Sequence, residues 1–113
     1  MHEMAITRSM LDLVLEETAK SGYGKVTEVN VVLGEMSGVV DSCVEFYFDF
    51  MSRDTPAEGA RLNFRKMENQ ARCRKCGNIF KPRDIFWECD KCGSMEIEVT
   101  AGNELYIESI EVE

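Results

Sequence analysis

Histidine is almost missing from this chain: there is one, His2, in 113 residues. A Ser/His/Asp set for nucleophilic catalysis cannot be built without a placed histidine. No open catalytic metal site stands out either, so the chain is not read as an enzyme. Long apolar runs are absent too, and nothing approaches the length of a membrane span. The opening Met1-His2-Glu3 lacks the basic segment and following apolar run of a signal peptide. The expectation is a cytoplasmic protein with no membrane partner, in a compartment where thiols stay reduced. Positive charge is scarce, with 13 Lys and Arg against 21 Asp and Glu and a formal net charge of -8. The shortage is uneven. Between residues 70 and 103, Arg72, Arg74, Lys75, Lys81, Arg83 and Lys91 outnumber Asp84, Glu88, Asp90, Glu96 and Glu98. The acidity therefore belongs to the rest of the chain, where it repels nucleic acid and attracts cations or a basic partner.

What is present is cysteine, in a pattern. Cys73-Arg-Lys-Cys76 and Cys89-Asp-Lys-Cys92 are two Cys-x-x-Cys pairs with twelve residues between them. That spacing reads as a zinc ribbon, in which each pair sits on a tight turn and four thiolates surround one zinc. Gly77 and Gly93 follow the second cysteine of each pair, where the backbone must turn sharply and point N–H groups at the sulfurs. A site of four thiolates has no open position and is structural: it supplies folding free energy to a segment too small to hold together alone. The fifth cysteine, Cys43, reads as a buried, inert thiol among apolar neighbours.

The remaining elements follow from periodicity. Residues 4–21 predict an amphipathic helix with a stripe of Ile6, Met10, Leu13, Val14 and Glu17, widened by Leu11 and Leu15 and stopped by Gly22-Tyr23-Gly24. Residues 25–33 predict a strand with Val29, Val31 and Leu33 on one face, followed by a loop over 34–38. Ser42 and Glu45 read as a capping box opening a second helix to Met51, whose Phe46, Tyr47, Phe48 and Phe50 are assigned to the core. Thr55-Pro56 breaks the chain before a strand over 60–67. A last strand over 104–112 changes apolar phase between Ile107 and Ile110, which suggests a bulge near Ser109. The expected fold is α+β: a three-stranded sheet with two helices on one face, plus an inserted zinc ribbon with a four-cysteine site. The domains are a discontinuous α/β domain (1–69 and 104–113) and the ribbon (70–103). The second helix, as a crossover, favours parallel pairing of the first two strands. The strands before and after the ribbon are expected to pair antiparallel with each other.

The lone histidine remains. A histidine at a chain terminus is ordinarily a frayed side chain. With a free amine at Met1, however, that amine, the amide nitrogen of His2 and its imidazole Nδ1 close a five- and a six-membered chelate ring. Three nitrogens in one plane suit nickel(II) or copper(II). A fourth ligand could come from Glu3. If the first helix and first strand are antiparallel, Glu35 and Asp41 also return to this end, and Asp41 is the candidate retained.

Met1-His2-Glu3 opening a helix, Gly34-Glu35-x-Ser37-Gly38 after the first strand, the paired Cys-x-x-Cys knuckles, and Gly102-Asn103-Glu104-Leu105 leading to Ser109-Ile110-Glu111-Val112 together resemble the HypA/HybF family over essentially the whole chain. That resemblance implies a nickel metallochaperone of [NiFe]-hydrogenase maturation, with some members serving urease. It implies nickel at Met1, His2 and Glu3, and structural zinc at Cys73, Cys76, Cys89 and Cys92. The implied partners are a nickel-handling accessory GTPase and the hydrogenase large-subunit precursor; a homodimer is a further expectation. The amine must be that of Met1, which the large side chain of His2 helps to retain. With no second histidine, the ribbon has no imidazole ligand to offer.

Two other readings compete. Arg72, Arg74, Lys75, Lys81 and Arg83 with Phe80, Phe86 and Trp87 make a basic, aromatic hairpin, so the ribbon could serve as a protein- or nucleic-acid-binding adaptor without nickel. The thiolate–zinc cluster is itself anionic, however, and these cations would neutralise it. Four thiolates also bind iron, as in a rubredoxin-like site, which colour would reveal.

Overall fold

The computed structural model describes residues 2–22, 24–82 and 87–113. In chain order the elements are α1 (Glu3–Ser21), β1 (Val26–Gly34), α2 (Asp41–Met51), β2 (Arg61–Met67), β3 (Gln70–Cys73), β4 (Ile79–Phe80), β5 (Ile97–Ala101) and β6 (Leu105–Val112). The strands form two three-stranded sheets, ordered β2-β1-β6 and β4-β3-β5.

The first sheet corrects the expected pairing. The Val26 N–H donates to the Pro56 carbonyl and the Glu35 N–H to that of Met67, so β1 and β2 run parallel. Gly34 donates to Glu104 and Glu113 to Lys25, so β1 and β6 run antiparallel. Parallel pairing of the first two strands is as expected from the helical crossover. β2 and β6, though, do not pair with each other; β1 lies between them. The cause is in β1's own side chains. Val29, Val31, Val32 and Leu33 are all buried, which suits a strand with a neighbour on each edge.

One face of that sheet is polar. Asn63 Nδ2 donates to Glu28 Oε1 at 3.0 Å and to Asn30 Oδ1 at 2.9 Å, and Asn30 Nδ2 donates to Ser109 Oγ at 3.0 Å. Arg65 pairs with Glu108 at 3.0 Å on the same face. Glu108 and Ser109 are adjacent in the chain yet reach the same face, which marks a change of phase in β6 where the Ile107–Ile110 pattern changes. The opposite face carries the buried Val29 and Val31, and α1 and α2 pack on each other.

The helices differ from their sequence patterns in detail. In α1 the buried positions are Thr7, Met10, Leu11, Val14 and Thr18, whereas Leu13 is 55% exposed. Burial of two threonines is possible because each hydroxyl bonds back one turn: Thr7 to the Glu3 carbonyl at 2.6 Å and Thr18 to that of Val14 at 2.7 Å. Gly22 ends the helix at φ 77°; Tyr23 lies outside the described residues. In α2 the N-cap is Val40, not Ser42, and no side chain caps it. The helix starts one residue before the expected box, and the Ser42 N–H is taken by Asp41 Oδ1 at 2.8 Å. The aromatic core is also corrected. Only Val44 and Phe48 of α2 are buried, while Phe46 is 70% and Phe50 63% exposed. Cys43 is exposed rather than buried, since it lies on the same outward side of the helix.

By contacts, the chain divides into Met1–Val32, Gly38–Arg65 and Tyr106–Glu113 as one unit, and Leu33–Ser37 with Lys66–Leu105 as the other. Residues 33–37 join the second unit because their backbone bonds there: Gly34 to Glu104 at 2.8 Å, Glu35 to Met67 at 2.9 Å and Met36 to Gly102 at 2.7 Å. That unit has its own small core of Ala71, Cys73, Phe80 and Cys89, with Trp87 and Ile97 packed against it. Among the described residues, no helix is long and apolar enough to cross a membrane.

Candidate metal centres

The two cysteine pairs fold as near-copies of one turn. In the first, the Cys73 N–H bonds the Asn78 carbonyl and the Gly77 N–H bonds that of Cys73; in the second, Cys89 bonds Ser94 and Gly93 bonds Cys89. Gly77 and Gly93 sit at φ 79° and 75°, a left-handed conformation that favours glycine. The turns aim main-chain N–H groups at sulfur: Cys76 at Cys73 Sγ, and Lys91 and Cys92 at Cys89 Sγ, each at 3.4 Å.

Antiparallel pairing of β3 with β4 and β5 brings the turns together. Cys73 and Cys92 Sγ stand 3.6 Å apart, Cys76 and Cys89 Sγ 3.5 Å, and all four lie within 4.8 Å of one another. A tetrahedron with metal–sulfur bonds of about 2.3 Å has edges of about 3.8 Å, so this cluster fits one four-thiolate metal ion. None of the cysteines forms a disulfide.

The thiols are unequal. At Cys89 burial opposes the charged form, but the N–H groups of Cys92 and Lys91 and the Asn78 amide outweigh it and lower the pKa to about 6. Cys73 is lowered as well, first by the Cys76 N–H. Cys92 receives an N–H from Ser94, yet burial and the neighbouring thiols of Cys73, Cys76 and Cys89 push it up to about 12. Four sulfurs this close cannot all carry charge without a cation between them.

Three of the ribbon's basic side chains are paired with carboxylates instead. Arg72 and Arg74 pair with Glu98 at 2.7 and 3.5 Å, and Lys81 pairs with Glu35 at 3.5 Å and Glu68 at 3.6 Å. Main-chain N–H groups are what the sulfurs receive directly, and the signal for them was Gly77 and Gly93. Arg83 and Phe86 lie outside the described residues.

At the other candidate centre, Met1 lies outside the described residues. His2 is exposed in extended conformation as the N-cap of α1, and its carbonyl accepts the Ile6 N–H at 3.1 Å. Glu3 opens the helix. Its Oε2 accepts the Val40 N–H at 3.2 Å, which sets it against the start of α2, beside Asp41. Its own N–H and then that of Val40 hold the carboxyl below the ordinary range. No local pattern announces a contact between residues 3 and 40. Glu35 is engaged elsewhere, accepting the Asn69 N–H at 3.3 Å besides its pair with Lys81. Among the described residues, the four cysteines are the one group of three or more ligating side chains close enough to share an ion. His2, Glu3 and Asp41 do not converge in that way.

A family model described as "Hydrogenase/urease nickel incorporation, metallochaperone, hypA" matches residues 1–112. The chain belongs to the HypA family. It is 42% identical to the hydrogenase maturation factor HypA of Caldanaerobacter subterraneus subsp. tengcongensis, with all of both chains covered. It is 39% identical to that of Geobacter metallireducens, again with all of both chains covered. Two solved structures share the fold at 27% identity. One, "Solution structure of HypA protein", has a TM-score of 0.76 over 98% of this chain and 95% of that one. The other, the Ni metallochaperone HypA from Helicobacter pylori, has a TM-score of 0.68 over 99% and 97%. HypA membership makes this chain a metallochaperone-type hydrogenase maturation factor, and the adaptor reading without nickel is not favoured. Phe80 and Trp87 pack on the ribbon core and are not set out as a stacking platform.

Proposed function

We propose that this HypA-family chain binds Ni(II) at Met1, His2 and Glu3, with Asp41 as a further candidate ligand, and delivers it during [NiFe]-hydrogenase maturation and, where present, to urease. Nickel is cargo, not a resident cofactor, and the chain performs no catalysis. The observation that carries this reading is the start of α1: an exposed His2 directly before the helix, followed by Glu3 held against the start of α2 beside Asp41. The site needs no cage of side chains. In a chain whose terminus is Met1, the amine, the His2 amide and Nδ1 make a planar set, leaving one position for Glu3 or Asp41. Binding strengthens with pH, because amine and amide must lose protons.

The resident metal is proposed to be Zn²⁺, held by Cys73, Cys76, Cys89 and Cys92 as a structural ion in a ribbon of residues 70–103. The nickel site belongs to the discontinuous domain of 1–69 and 104–113. The proposed partners are a nickel-handling accessory GTPase and the hydrogenase large-subunit precursor, with homodimerisation, in the cytoplasm.

Nickel titration by calorimetry and absorption tests the site on the chain starting at Met1 and on one with a single Gly added before it. One nickel bound by the first and lost from the second supports it; equal binding places nickel elsewhere. His2→Ala is expected to abolish nickel binding while leaving zinc content and melting unchanged. Nickel held at unaltered affinity by that variant would discard the site.

A further inference from the structure

Glu45, Phe46, Asp49 and Phe50 of α2 have no role in either metal centre. Phe46 and Phe50, one turn apart, are 70% and 63% exposed, and Tyr47 meets the Phe46 ring edge-on at 5.6 Å between centroids. The Arg53 guanidinium lies over the Phe50 ring at 5.3 Å, which leaves Phe46 as the large open aromatic surface, of the kind that anchors a partner when it adjoins a groove. A groove of about 490 Å³ lies beside them, lined by Glu45, Phe46 and Asp49 of α2 and by Ala60, Arg61 and Leu62 at the start of β2.

Two further features identify an occupant. β2 is an edge of its sheet, with β1 on its only strand-bearing side among the described residues. An edge beside a helix is the geometry in which an extended segment adds as one more strand and drops alternate side chains between helix and sheet. Charge sets the composition of that segment. Glu45 and Asp49, four residues apart, share one side of α2, whose last turn carries no basic residue. Arg61 is the one cation of the lining, and it is partly engaged: the Glu28 carboxyl is held low first by its hydrogen bonds with Glu111 and Asn63 and then by the Arg61 charge. The chain as a whole carries -8.

We propose that the groove between α2 and the β2 edge docks an extended, basic segment of a partner protein, which adds to β2 with a large apolar side chain against Phe46 and its cations over Glu45 and Asp49. The site is independent of the nickel reading. It lies on other residues, and its test is run without nickel.

The probe is the synthetic peptide Lys-Arg-Val-Leu-Val-Arg-Lys, blocked at both ends, titrated into the isotope-labelled full chain with its ribbon metal in place. Backbone amide shifts are expected to move in residues 42–50 and 61–64, with slowed amide exchange within 61–64. Binding should weaken several-fold as salt rises from about 0.05 to 0.3 M, because the contact is partly between exposed charges. The double variant Glu45→Lys/Asp49→Lys is expected to weaken binding about tenfold, and Phe46→Ser about fivefold, the range that an exposed hot spot commands. Both variants alter exposed side chains and should melt as the parent does. The charge-reversed peptide Glu-Asp-Val-Leu-Val-Asp-Glu should not bind. The proposal is overturned if shifts are absent at about 1 mM peptide, a generous limit for a weak site. It is also overturned if shifts map away from α2 and β2, if exchange within 61–64 is unchanged, or if Glu45→Lys/Asp49→Lys binds as well as the parent. Self-association of the free chain that Phe46→Ser abolishes would make the occupant a second copy, and would equally overturn it.

Discussion

At Gly34 a hydrogen atom occupies the only space available. A Cβ there would lie 2.1 Å from the Gly102 carbonyl oxygen and 2.7 Å from the Glu104 nitrogen. The Gly102 oxygen accepts the Met36 N–H, and the Glu104 carbonyl accepts the Gly34 N–H, so this stretch of backbone is fixed and cannot swing aside. Gly34→Ala is therefore expected to cost about 3 kcal/mol, at the upper end of overpacking penalties, whereas Gly24→Ala, with nothing within 4 Å, should be nearly neutral. Urea unfolding of the two variants distinguishes them, and equal midpoints would refute the close approach. Glu28 and Glu111 give a second test at this scale. Their carboxyls share a hydrogen bond that lowers Glu28 and raises Glu111. A raised acid stabilises the fold below its pKa and loses that contribution as pH rises through it. Glu111→Gln should thus raise the melting temperature at pH 7, where two adjacent carboxylates repel, and not at pH 4. A gain at pH 4 that is absent at pH 7 would reverse the assignment. Residue types bound to a local turn, such as Gly77 and Gly93, were legible in the sequence. Gly34 against Gly102 and Glu3 against Val40 were not, because each depends on chain brought from far along the sequence.

α2 shows what periodicity can and cannot say about an element. Its existence follows from an apolar run between turn residues, yet an eleven-residue helix has only three turns and can bury one narrow side. Four aromatics in that length cannot all face inward. The sequence offers no reason to prefer Phe48 over Phe46; the partner helix α1 and the sheet decide it. Phe48→Ala is accordingly expected to cost about 3–5 kcal/mol, and Phe46→Ala no more than about 0.5 kcal/mol. Thermal and denaturant unfolding check the contrast, and comparable losses would mean the helix is rotated from the position described. The knuckles were more legible, because two Cys-x-x-Cys pairs with following glycines leave few other geometries. Cys73→Ala is expected to lower the metal content and loosen β3 to β5. A tightly bound ion and an unchanged melting profile in that variant would discard the structural role.

For the whole molecule, the metal and the sheet support different parts. The hydrophobic cluster of the ribbon, among the described residues, is small: Ala71, Cys73, Phe80 and Cys89 with Trp87 and Ile97 against it, which is little to hold three short strands without an ion. Removing the metal with a strong chelator under reducing conditions should therefore broaden or lose amide signals from residues 70–101. α1, α2 and the first sheet should keep theirs. Uniform loss across the chain would show one cooperative unit instead. The insertion of the ribbon between β2 and β6 could be read along the chain, because a strand pattern precedes and follows the cysteines. The placing of β1 between those strands could not.

The sequence by itself determined the four-cysteine cluster, the two helices, the three strands of the first sheet and the family. Each of these rests on local spacing, whether of ligands, of glycines or of apolar residues, or on motifs matched along the whole chain. Only the tertiary structure decided which side of α2 is buried, which strand is central, why Leu33–Ser37 goes with the ribbon, and that Glu3 meets Val40. These are contacts between segments far apart in the chain, selected by which complete arrangement buries the most apolar surface and satisfies the most backbone groups. No single stretch of residues carries that information.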